Sequence, residues 1–448
     1  MKKQLIIGAI IASTSHTLWA DEYHFNNLLI GKNAIGLGGA FTAVANDLSA
    51  IHYNPAGLVY VERGNLASIN TFAWERTSFE NVFGNGDDFN RDAFSVIPGF
   101  FGIKYKVQDW HLGAAFIVKD FSQERSNNSA TYNLPATAEI PAPQVQTEFA
   151  TIDIDNSAYQ IQLSGGKALN ENWSIGLGLG IQLRSFQTDQ SSGAINQVFL
   201  SEENVISTGF QATARFSDEN WMAEPSVSIL YRKEGLSLGA KLSKYYVIDR
   251  SHEFVTTIAV SGIDPTTPGV RTAIYDIEEA CCKQQFPINL TTGFAYDFNR
   301  WQLSADVIHY FDVDQKVENL TRFARNITLD FDAITNYAMG ISYRFSDYQS
   351  IQFGVFTDNA NSSIDLTVPF QRLEVIDLVG LSISYDTKIS DFPISFGGYA
   401  KFGDGLVRIS DTRAVDAAVG VPLYPASDNN DISDASKSSY VAFFSIDF

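Results

Sequence analysis

From about residue 65 to the C-terminus the chain reads as a run of β-hairpins whose connections alternate between very short and very long. Fourteen alternating segments fall near 65–74, 94–107, 110–123, 150–168, 173–187, 222–233, 236–249, 286–298, 301–313, 335–346, 350–359, 376–388, 392–403 and 436–448. One set of links is tiny, such as Gln108-Asp109, Asn170-Glu171-Asn172, Glu234-Gly235 and Asn299-Arg300. The other set is long, at about 75–93, 124–149, 188–221, 250–285, 314–334, 360–375 and 404–435. A soluble sandwich has no reason to sort loop length between its two ends, whereas a transmembrane barrel does. The expected fold is an all-β transmembrane antiparallel barrel of about 14 strands. An even strand count puts both ends of the barrel on the short-turn side.

The strand faces agree. Trp173, Ile175, Leu177, Leu179, Ile181 and Leu183 form one row, and Ser174, Gly176, Gly178, Gly180, Gln182 and Arg184 the other. The same contrast runs through 236–243, 301–307 and 337–345. The apolar rows are expected to face lipid, and the small or polar rows the lumen. Trp110, Trp173 and Trp301 each open a strand after a short turn, as an interfacial aromatic girdle requires.

The two ends suggest the compartment. Lys2 and Lys3, then the apolar Leu5–Ala12, then a polar stretch ending at Ala20, read as a secretory signal over residues 1–20. No other segment is long and apolar enough for a membrane helix. At the C-terminus Tyr440, Ala442, Phe444, Ile446 and Phe448 share one face. In water that face would be an unprotected edge. In a bacterial outer-membrane barrel it faces lipid, and a strand ending on Phe resembles the signal read by the barrel assembly machinery. Lipid and lipopolysaccharide are then the expected surroundings, with a monomer as the expected state. Only 18% of residues are charged and mean hydropathy is near zero, so polar and apolar residues are finely mixed. A net charge of −20 argues against nucleic acid. Cys281 and Cys282 are adjacent, offer no metal-ligand spacing, and fit a vicinal disulfide in an outer loop. No cofactor or metal is expected.

A barrel this wide needs something in its lumen. The segment 21–63 can supply a helical hatch ahead of a barrel over 64–448. Here the residues become specific. Ala34-Ile35-Gly36-Leu37-Gly38-Gly39-Ala40-Phe41-Thr42-Ala43-Val44-Ala45-Asn46-Asp47, followed by Tyr53-Asn54-Pro55-Ala56-Gly57-Leu58, resembles the N-terminal hatch of the outer-membrane long-chain fatty acid transporter family. That family includes aromatic-hydrocarbon uptake channels. The resemblance implies uptake of a hydrophobic small molecule, above all a long-chain fatty acid. Outer loops would catch it first, a lumenal pocket would hold it, and a hatch movement would release it sideways through a kinked wall. Asn54, Pro55, Ala56 and Gly57 are the expected gate, Pro55 fixing φ and Gly57 permitting a positive one.

For a ligand head group the lumenal cations Lys104, Arg184, Arg232, Lys241 and Arg344 are the candidates, set against pairing with Asp297, Asp306 or Asp386. The loops 188–221 and 250–285 are expected to form the outer groove. Pro98-Gly99, Gly165-Gly166 and Gly397-Gly398 are candidate wall kinks. A diffusion porin would not explain the hatch. A barrel enzyme lacks support, because no G-x-S-x-G or H-E-x-x-H occurs.

Overall fold

The structure is a computed structural model. It describes residues 24, 28–61, 66–80, 88–136, 142–201, 204–261, 269–276, 285–313, 331–361, 373–389, 392–408 and 432–447. The expected signal sequence, Cys281, Cys282 and Phe448 lie outside these residues.

Sixteen strand segments make one antiparallel sheet. They are β1 (Leu66–Phe79), β2 (Phe89–Val107), β3 (Trp110–Leu134), β4 (Gln144–Ala168), β5 (Trp173–Ser201), β6 (Asn204–Lys233), β7 (Leu236–Ser261) and β8 (Gly269–Asp276), then β9 (Gln285–Phe298), β10 (Trp301–Tyr310), β11 (Ile334–Ser346), β12 (Gln349–Asp358), β13 (Leu373–Ile376), β14 (Leu378–Ile389), β15 (Phe392–Arg408) and β16 (Ile432–Asp447). β13 and β14 keep one register against β15, so they form a single wall strand. Among the described residues β8 pairs only with β7. That leaves fourteen wall strands. β16 pairs with both β15 and β1, which closes the barrel.

The dyad pattern is realised as expected. Leu177, Leu179, Leu238, Leu303, Tyr337 and Met339 point outward and are exposed, while Ser174, Gln182, Ser237, Ser304 and Asp306 are buried inside. On β5 the outward apolar row spans Trp173 to Leu183. Ten steps at roughly 3.3 Å make about 33 Å along the strand, which a tilt near 45° turns into a belt of about 25 Å. Beyond it the outward residues become Ser185, Gln187 and Asp189.

The structure corrects the long loop at 188–221. β5 and β6, of 29 and 30 residues, run on as one hairpin to the pair Ser201/Asn204. β3 and β4 likewise reach Leu134/Gln144, and β7 continues to Ser261 with β8 beside it inside the expected 250–285 loop. The strands therefore outlast the membrane and stand above it as a hydrogen-bonded crown. Arg–Asp pairs such as Arg125–Asp155 (3.1 Å) and Arg215–Asp189 (2.5 Å) decorate its outer face.

Residues 28–61 fill the lumen. A short helix, α1 (Lys32–Gly36), leads to a turn-rich segment, then α2 (Ala50–Tyr53) and a 3₁₀ helix over Pro55–Tyr60. Ala34, Ile35, Phe41, Ala43, Ile51, Ala56 and Leu58 are fully buried and form the core with inward wall residues.

Candidate functional site

The hatch docks because the wall leaves room for its backbone. A Cβ on Gly176 would collide with the Ala56 amide, on Gly166 with the Pro55 carbonyl, and on Gly354 with the Gly38 amide. Gly239 and Gly293 face Thr42 and Ala43 in the same way. Wall side chains then complete the hatch's hydrogen bonding. Asp306 accepts from the Phe41 amide (3.0 Å) and the Thr42 amide (2.8 Å). Ser174 donates to the Ala56 carbonyl (2.9 Å), Ser164 to that of Ile51 (2.7 Å), and Ser382 to that of Gly36 (3.1 Å).

Asn54 is the most connected of the four expected gate residues. Its Nδ2 donates to the carbonyls of Thr42 (2.7 Å) and of Ile229 in the wall (3.3 Å), and its Oδ1 accepts from the Ala56 amide (3.1 Å). Pro55 follows as the first residue of the 3₁₀ helix, where its missing N–H costs nothing. Gly57 has no positive φ, contrary to the expectation. It is glycine because a Cβ there would run into Ala45.

Above the hatch, in the outer half of the barrel, lies a cavity of about 80 Å³. Thr42, His52 and Tyr53 form its floor, and Lys119, Glu224, Lys241, Tyr245, Phe286 and Tyr310 much of its wall. Lys241 donates to the His52 carbonyl (2.8 Å) and lies 3.7 Å from Glu224. Lys119 Nζ is 3.1 Å from His52 Nε2. An ammonium can only donate, so Nε2 accepts and the ring proton sits on Nδ1. Burial, reinforced by Lys119 and Lys241, holds the His52 pKa well below 6.5 and keeps it neutral.

The wall beside this cavity is irregular. Lys119 is the extra residue of a bulge between Val118 and Asp120 of β3, which turns its side chain inward. Next to it the β2–β3 ladder stops. Among the described residues Phe100 pairs with Ile117 and Asp92 with Arg125, and nothing between them is paired. Seven residues, 93–99, thus have no ladder partner on β3, an unpaired window of backbone about 23 Å long at roughly 3.3 Å per residue. Pro98-Gly99 sits at its inner end, where β1 and β2 also shift register. At Gly165-Gly166 and Gly397-Gly398 the ladders are continuous. Phe94 and Val96 line the lipid side of the window and are more than half exposed.

Of the five candidate cations only Lys241 lines the cavity. Arg232 stacks on the Tyr60 ring (4.3 Å) and donates to the carbonyls of Ala43 and Val44, holding the hatch from below. Lys104 donates to the Val61 carbonyl. Arg344 pairs with Asp297 (3.1 Å) near the short-turn end, half exposed. Arg184 faces inward on β5 but does not line the cavity. Asp386 accepts from Ser350 and Ser395, both at 2.6 Å. Lys119 and Glu224 went unnoticed in the sequence. The signal for Lys119 was the run Phe116-Ile117-Val118, where strict alternation fails. For Glu224 it was the proline that follows it inside a strand.

A fourteen-stranded closed barrel, plugged by its own N-terminal segment, with a lumenal cavity beside an unpaired stretch of wall, defines the class: a hatch-plugged membrane barrel. No protein-family model and no curated protein matches the chain. Solved structures do match in fold. A FadL homologue from Pseudomonas aeruginosa superposes with a TM-score of 0.57 at 12% identity, over 95% of this chain and 99% of that one. The Ralstonia pickettii toluene transporter TbuX gives 0.54 at 14%, over 95% and 100%. The monoaromatic hydrocarbon channel CymD gives 0.52 at 12%, over 95% and 99%.

Proposed function

We propose that the chain is a bacterial outer-membrane uptake channel for hydrophobic small molecules, with long-chain fatty acids as its principal cargo. The fold shared with transport barrels supports the membrane and the channel. The observation that carries the reading is the cavity itself: two lysines converge above a closed hatch, one of them on the bulge that borders a lipid-facing window. A carboxylate would take charge-assisted bonds from Lys119 and Lys241. Its alkyl chain would gain about 0.8 kcal/mol for each CH₂ kept from water by leaving through the window. The cavity is far smaller than the ~300 Å³ at which ligand pockets begin, so this is a closed state. Movement of the hatch about Asn54-Pro55 enlarges it. The cavity's small size and the toluene and monoaromatic names of two similar barrels favour a second reading, an aromatic hydrocarbon. A general diffusion porin is disfavoured by the buried hatch.

The test is uptake of radiolabelled oleate and toluene by cells lacking their own transporter. Oleate uptake that fails in the Asn54→Ala/Pro55→Ala variant supports the proposal. Toluene uptake alone favours the second reading. Uptake of neither above the empty vector sinks both.

A further inference from the structure

The window at β2–β3 is not the sole discontinuity facing the cavity. Across the lumen, β7 is loosened on both flanks at one point. Against β6 the register runs to Ala223/Tyr246 and resumes at Ser226/Ser243. Opposite the skipped residues stands Pro225, which has no N–H to donate. Against β9 the register shifts between Lys244/Ile288 and Tyr246/Gln285, and Pro287 lies within the skipped stretch. Among the described residues Tyr245 therefore has a ladder partner on neither side. Prolines are confined to edges and bulges because they break central pairing, and here two of them meet one strand at the same level.

The side chains at that point join the cavity to the lipid face. Inside, Tyr245 is hydrogen-bonded to Glu224 and lies edge-on to Phe286, their ring centroids 6.1 Å apart. Both rings line the cavity. Outside, Trp221, Tyr246 and Ile288 are exposed at the outer margin of the apolar belt. Lys244 lines the cavity, and its ammonium lies 5.6 Å from the Tyr246 ring centroid. A cation among aromatics at the level of lipid head groups, beside an unpaired stretch of wall, is suited to an anionic head whose chain already lies in the membrane.

We propose that the Tyr245 segment of β7 is a second lateral port, connecting the cavity to the outer leaflet and admitting single-chain anionic amphiphiles dissolved there. Tyr245 is its plug, and release of Tyr245 from Glu224 opens it. The proposal rests on the reading of the cavity as the ligand pocket, but its physical content is access of acyl chains to residue 245.

That access is measurable without transport. In the full chain carrying Cys281→Ser and Cys282→Ser, a bimane label on Tyr245→Cys is placed in vesicles whose phospholipid chains carry bromine, a contact quencher. The control label is on Tyr310→Cys, which lines the same cavity and is itself paired on both sides, at the outer end of unbroken ladders to β9 and β11. The expected result is quenching at 245 at least threefold that at 310, abolished by a disulfide between Ala223→Cys and Tyr246→Cys and restored by reductant. Equal quenching at the two positions, or quenching at 245 that the disulfide leaves intact, overturns the port. Oleate uptake by the disulfide-free background reads the transport proposal separately, so either can fail alone.

Discussion

The short-turn half of the barrel and its outer half are built on opposite rules. In the short-turn half the ladders are regular away from the strand ends, and the inner surface is stripped to glycine and serine where the hatch backbone presses on it. In the outer half the ladder is interrupted at 93–99, bulged at Lys119 and skipped around Tyr245, and charges point inward. The difference teaches where each job is done. Regular pairing with bare glycines brings the hatch backbone against the wall, where serines, Asp306 and Arg232 hold it by hydrogen bonds. Broken pairing re-aims lysine, glutamate and tyrosine at one cavity and leaves the adjoining wall soft.

The comparison breaks most visibly if the glycine face is filled. Gly354→Leu puts a side chain into the Gly38 backbone, a clash beyond the roughly 1–3 kcal/mol of ordinary overpacking. The hatch should leave the lumen, and planar-bilayer recordings should show a conductance that the parent lacks, while heat-modifiable gel mobility shows an intact barrel. Asn54→Ala should be milder. It takes the Asn54 amide from the Thr42 carbonyl, at about 1–3 kcal/mol for that buried group, while the Ala56 amide keeps Ser228 Oγ as acceptor (3.1 Å). Hydrogen exchange should report faster opening of the hatch with the wall strands unchanged.

In the outer half, Lys119→Met removes one charge-assisted bond of roughly 1.5–3 kcal/mol. Oleate binding should weaken about tenfold to a hundredfold, while toluene binding stays level. An equal loss for both would contradict the assignment of Lys119 to a head group. The smallest effect is that of pH. Above 6.5 His52 is neutral whether the hatch is docked or open, so its contribution is level. Below 6.5 the open hatch takes up a proton that the docked one refuses, so docking weakens as pH falls. Hatch amides should lose protection below that point, and His52→Gln should flatten the part of the decline due to this ring.

Much of the short-turn half could be read from the sequence. Its strands carry the largest contrast between faces, as in Trp173–Leu183, and its turns are two or three residues long. The hatch block was recognisable because glycine and Asn-Pro-Ala-Gly are demanded by backbone contact. The crown was not legible. Above the membrane the outward row of β5 and β6 changes from Leu and Ile to Ser, Gln, Asp and Thr, so alternation persists without hydropathic contrast and resembles loop. The cavity was legible only in part. Lys241 obeys the dyad rule and was found, whereas the bulge at Lys119 inverts the rule locally. Arg232 and Lys104 obey it too, but they point at hatch carbonyls, a partner that alternation cannot reveal.

The most direct test of the central claim is where cargo sits. Purified protein would be photolabelled with a diazirine bearing long-chain fatty acid, and the modified residues mapped by peptide mass spectrometry. Labels on Phe286, Tyr310 or Tyr53, competed by unlabelled oleate and reduced by Lys119→Met, are the predicted result. Labels confined to outward residues such as Leu177, Leu238 and Tyr337, with no competition, would contradict the account.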